Sequence, residues 1–186
     1  MRSSSPGPVA ARTPHASCAV CAAGAAALLL ARGSPAEPLA VTGIDFAPAV
    51  NAKWPEYGAA EAATLRKAIR AAVAREKNCG PVAAGVGVIV TVEDLAPSRL
   101  TREQLAANPT LDVVHSKSLG GAELKGELLD AQQHVLTTVS YRYFAPTITV
   151  GSAARDPWAD ARLAIDGFAG KLATACRNLT EHSTPG

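Results

Sequence analysis

Valine occupies every second position from Val86 to Val92. Strict alternation is the signature of an extended chain whose side chains point to opposite faces in turn, so residues 85–95 are predicted to form a strand. Ala122, Leu124, Gly126 and Leu128 alternate with Glu123, Lys125 and Glu127, which predicts a second strand with one wet face. After a tight turn over Asp130–Gln133, residues 134–144 return as its hairpin partner, with Val135, Val139, Tyr141 and Tyr143 on one face. Leu39–Phe46 reads as a first strand, followed by a loop that holds Pro48, Trp54 and Pro55 and closes at Gly58.

Elsewhere the period changes to 3.6. Ala62, Leu65, Ile69, Ala72 and Val73 share one stripe of a helix over 59–77, which ends at Asn78-Cys79-Gly80-Pro81. Trp158, Ala161, Ile165, Phe168, Leu172 and Ala175 form the stripe of a last helix, with Asp156 as its cap and Pro157 at its first turn. Thr101 and Gln104 make a capping-box pattern for a short helix over 102–107. Gly85 and Gly87 bracket Val86 inside a strand, where they favour close packing under a helix over a phosphate loop. The order strand, helix, three strands, helix predicts an α+β two-layer sandwich: about four mainly antiparallel strands with two roughly parallel helices on one face. The domain is expected to cover 37–177, with 178–186 as a flexible tail.

Cys79 and Cys176 each fall at the end of a predicted helix, and five turns put Cys176 on the same face as Trp158. A Cys79–Cys176 disulfide would lay the helices side by side and close a loop of roughly 100 residues, worth about 4–5 kcal/mol in the chain-entropy model. Two buried free thiols are the alternative.

The first 36 residues contain Arg2, Arg12 and Arg32 but no Asp or Glu. An apolar run over 19–31 follows, and Ser34-Pro35-Ala36 then offers small residues for cleavage. This order predicts a secretory signal over 1–36 and a mature chain that is periplasmic or secreted, with no transmembrane segment. Cys18 and Cys21 would leave with the signal. The formal charge of +2 also changes: without those arginines, 15 basic residues face 16 acidic ones. Such a balance offers no field for nucleic acid.

No motif carries an evident reaction. The histidines are scattered, so no metal and no cofactor are expected. Ser116, Ser118 and Ser140 lack a nucleophile-elbow context. Glu93, Asp94, Asp112 and His115 are the residues on which a small-ligand or hydrolase reading would rest. A secreted inhibitor would need a rigid exposed loop, and 96–120 is the long candidate. The candidate binding surface is Gly120 and Gly121 together with Tyr141, Arg142, Tyr143 and Phe144, an aromatic–basic strand able to contact another protein of the cell envelope. Tyrosines alternating on a hairpin also serve as cross-strand core pairs.

The strand that opens at Gly120-Gly121-Ala122, the turn at Asp130, the hairpin return, and the helix with Trp158-Ala159-Asp160-Ala161-Arg162 resemble a family of uncharacterised Gram-negative envelope proteins and lipoproteins. The resemblance covers roughly residues 80–176. It implies an envelope location and no known activity; this chain departs from the lipoprotein members in lacking a usable lipid-acceptor cysteine, since Cys18 and Cys21 precede or interrupt the apolar run, and anchoring is left open.

Overall fold

The computed structural model describes residues 39–76, 85–112, 116–148 and 156–182. Its elements are β1 (Ala40–Phe46), α1 (Pro48–Asn51), α2 (Trp54–Tyr57), α3 (Ala59–Arg75), β2 (Gly87–Ala96), α4 (Arg102–Ala107), β3 (Gly121–Leu129), β4 (Val135–Phe144) and α5 (Ala159–His182). The four strands form one sheet in the order β1-β2-β3-β4. β1 pairs with β2 in parallel, and the other two pairings are antiparallel. Parallel pairing needs a crossover between the strands, which α3 supplies. The chain is thus an α+β protein with helices packed on a mostly antiparallel sheet.

The stripe that predicted α3 is the face it buries: Ala62, Leu65, Ile69, Ala72 and Val73. These residues share one buried cluster with Val88, Val90 and Val92 of β2 and Ala122, Leu124 and Leu128 of β3. α5 lies over β3 and β4 and beside α3. The two helices start together, because the buried Trp158 donates its indole N–H to Glu61 Oε2 at 2.7 Å. Further along, Arg75 near the end of α3 reaches Asp166 of α5. The helices therefore run in the same direction.

Packing of α5 onto the sheet depends on one missing side chain. A Cβ at Gly126 would sit 2.7 Å from Phe168 Cζ and 3.0 Å from Leu172 Cδ2. Glycine there lets two fully buried side chains of α5 descend to the backbone of β3. The sequence suggested this role for Gly85 and Gly87. Gly87 instead makes room for Thr42 of the neighbouring strand, and Gly85 takes a left-handed turn conformation beside Ala131.

Four other details differ from the sequence pattern. The segment from Pro48 to Gly58 folds into α1 and α2 rather than an open loop, each with proline in its first turn, where a missing N–H costs nothing. Val135 does not join Val139 on the covered face. A register shift at Leu128/Leu129 sets Val135 opposite Leu129 and leaves it 55% exposed. Beyond Arg177, where a loose tail was expected, α5 continues to His182, and Leu179 prolongs the apolar stripe against the core. β2 carries a bulge at Val92/Asp94 that alternation alone did not announce.

Candidate functional site

Among the described residues β4 is an edge strand: β3 pairs with one side of it, and no strand pairs with the other. From Thr137 to Phe144 its register with β3 is unbroken. This stretch of the strand holds four of the six residues singled out in the sequence, and alternation divides them between the two faces of the sheet. Tyr141 and Tyr143 turn toward the helices and pack on the core. Tyr141 fits the gap left by Gly167, where a Cβ would come within 2.5 Å of the phenol ring, and Lys171 Nζ lies 5.3 Å from the ring centre.

Arg142 and Phe144 turn to the other face, on which no described helix packs. The Arg142 guanidinium lies 4.8 Å from the centre of the Phe144 ring and binds Glu123 Oε2 of β3 at 2.7 Å. Phe144 pairs with Gly121, whose lack of a Cβ leaves space for the Phe144 ring and backbone. Ala145 N–H donates to the Gly120 carbonyl and extends this join by one step. Leu119, next to Gly120, is 47% exposed, and Ile148, shortly after Phe144, is 51% exposed. The result is an amphipathic corner: a cation over an aromatic ring, with exposed apolar residues in the chain segments that flank it.

The remainder of this face is a grid of paired charges. Lys125 binds Glu127 at 2.8 Å, and that hydrogen bond, with the charges of Glu127 and Glu93, raises the Lys125 pKa. Glu93 and Asp94 do not form a paired-carboxylate site. Glu93 belongs to the surroundings of Lys125, whereas Asp94 binds Lys53 at 3.4 Å and accepts from the Leu95 N–H. The bulge sets both between the inward Val92 and Leu95, and their side chains go to different cations. The Asp112 carbonyl accepts from Ser116 N–H in the turn after α4, and His115 lies outside the described residues. The long 96–120 segment is stitched at its base: Arg99 bridges to Lys117, Ser118 N–H donates to the Ser98 carbonyl, and Ser98 Oγ donates to Asp160. Among the described residues, no group of three His, Cys, Asp or Glu comes within reach of one metal ion.

Cys176 is buried against the core on α5. Cys79 lies outside the described residues, so the expected pair is not visible as such. Between α3 and α5 there is a shallow groove of about 170 Å³, lined by Ala68, Ala71, Arg75, Arg162, Ile165 and Asp166. It contains none of the residues expected from the sequence, and its two arginines are engaged by Asp166 and Asp156. The sequence did not single out Glu123, Lys171 or Gly167. Each acts through a partner distant in the chain, so no local pattern could reveal it. No helix among the described residues is long and apolar enough to cross a membrane.

No family model matches the chain, and no curated protein matches it. Among solved structures it is similar to a Xanthomonas campestris protein assigned to the DUF330 family, with 17% identity over 55% of this chain and a TM-score of 0.33. The chain spans about half the length of that protein, 53%. It is also similar to a candidate lipoprotein from Caulobacter crescentus CB15, with 14% identity over 66% of this chain and 84% of that one, and a TM-score of 0.35.

Proposed function

We propose that this chain is an exported, non-enzymatic domain that binds another component of the cell envelope through the C-terminal half of β4. Export rests on the basic start, the short apolar run over 19–31 and the small residues at Ser34 and Ala36. The binding reading rests on one observation: Arg142 is stacked on Phe144 and held by Glu123 on a strand that is an edge among the described residues. Arginine and aromatic residues held in place before contact lose little freedom on binding, and they are the residue types that dominate interface energies. In an oxidising compartment a Cys79–Cys176 disulfide would tie the far end of α5 to the segment after α3, a reading supported by the burial of Cys176.

The test is photo-crosslinking in the source cells, with the photoreactive residue at position 144 and a control at the exposed Lys67 of α3. A discrete adduct from position 144 that Arg142→Glu abolishes, with none from position 67, is the expected result. Equal labelling from both positions, or none from 144, would sink the reading.

A further inference from the structure

We infer that the partner segment at this edge is an extended strand carrying adjacent acidic residues, added to the sheet alongside β4; this rests on the binding reading above. Natural sheets guard their edges with prolines, bulges or inward-pointing charges. Thr137–Phe144 has none of these: its register is unbroken, it lacks proline, and its one charge is Arg142. Among the described residues no strand pairs with its outer backbone groups, which are therefore a template for strand addition.

Charge decides which strand. β4 contains no carboxylate, and a cation lies on each face of its C-terminal half: Arg142 of the strand itself, paired with Glu123 but 62% exposed, and Lys171 of α5. On the covered face Lys171 lies over Tyr141; on the open face Arg142 lies over Phe144. Tyr141 and Arg142 are consecutive, so the two faces are served at neighbouring positions. An added strand alternates in the same way, and two consecutive carboxylates on it would point one to Lys171 and the other to Arg142. A second copy of this chain fits worse: pairing β4 with β4 in antiparallel fashion would bring two Lys171 flanks together without a carboxylate on either strand to offset them.

The probe is an acetylated, amidated TVTEDVTV peptide, with TVTKKVTV as its counterpart, titrated against the full chain at low salt. We expect the acidic peptide to bind about tenfold more tightly than the basic one, with Lys171→Glu and Arg142→Glu each removing that preference. Amide exchange should slow in β4 on binding and stay unchanged in β1, the opposite edge. Lys171 is exposed, so Lys171→Glu tests charge without disturbing the core. Equal affinity for the two peptides, protection outside β4, or a β4-paired dimer that excludes the peptide would overturn the inference. Adducts from position 144 that the acidic peptide fails to displace would leave the binding reading standing and remove the acidic strand.

Discussion

At the scale of single residues, glycines reveal where space is short. Gly126 lies beneath Phe168 and Leu172 in the tightest part of the core. Gly126→Ala is expected to lower stability by about 1–3 kcal/mol, because neither buried ring nor leucine can retreat without opening a void elsewhere. A chemical-denaturation midpoint equal to that of the parent chain would contradict this. Asp130 gives a second, pH-dependent test. Its carboxylate accepts the backbone N–H of His134 and that of Gln132, each at 2.8 Å, and these bonds hold its pKa below the ordinary 3.8. A group with a depressed folded pKa contributes its stabilisation above the unfolded pKa and loses it as pH falls through the folded value. The hairpin should thus keep its turn through mild acid and loosen only below about pH 3.8, the ordinary value. NMR titration of the Asp130 carboxyl checks this, and a midpoint at or above the ordinary value would contradict it. Gln133 adopts φ 67°, a left-handed conformation that the sequence did not signal, since glycine or asparagine is usual there.

At the scale of elements, helix starts follow local chemistry closely. Thr101 accepts from Gln104 N–H while the Gln104 side chain accepts from Thr101 N–H, the reciprocal cap that the spacing predicts. Asp156 accepts from Trp158 N–H and also binds Arg162, so one carboxylate fixes the entry to α5. Thr101 is fully buried, and Thr101→Ala should cost about 1 kcal/mol while raising amide exchange in α4 ahead of the other helices. Uniform exchange across all helices would show that α4 does not open independently. These elements were legible because both halves of each interaction lie within a few residues. The bulges in β2 and β4 were not, since register is set jointly by two strands.

At the scale of the whole molecule, the layout depends on α3 and α5 starting together. Trp158 bonds Glu61 and meets Tyr57 edge-to-face at 5.6 Å, and Tyr57 continues through Trp54 to Phe46. Burial, with the nearby charges of Glu56 and Asp94, raises the Tyr57 pKa. This aromatic chain joins the end of β1 to the start of α5. The proposed Cys79–Cys176 bond would close the opposite end of the helix layer. Intact-mass analysis of the exported protein should find these two cysteines resistant to alkylation until reduced, and reduction should lower stability by about 2–5 kcal/mol. Two thiols that alkylate in the native protein would rule out the bond. N-terminal sequencing of the same material should begin at Glu37.

The sequence by itself determined the kind and order of the four strands and of α3, α4 and α5, though not of α1 and α2: hydrophobic period, caps and turn residues act over a few positions, and α3 buries the five residues its pattern named. It also located the strand that carries the candidate site. Tertiary structure decided how that strand is used. Only with the sheet assembled do Tyr141 and Tyr143 turn inward while Arg142 and Phe144 remain available, and only then does β4 become an edge. Lys171, Gly167 and Glu123 reach the site from other elements, brought there by packing. The placing of Glu93 and Asp94 together between inward Val92 and Leu95 likewise comes from a bulge that exists only where β2 and β3 pair.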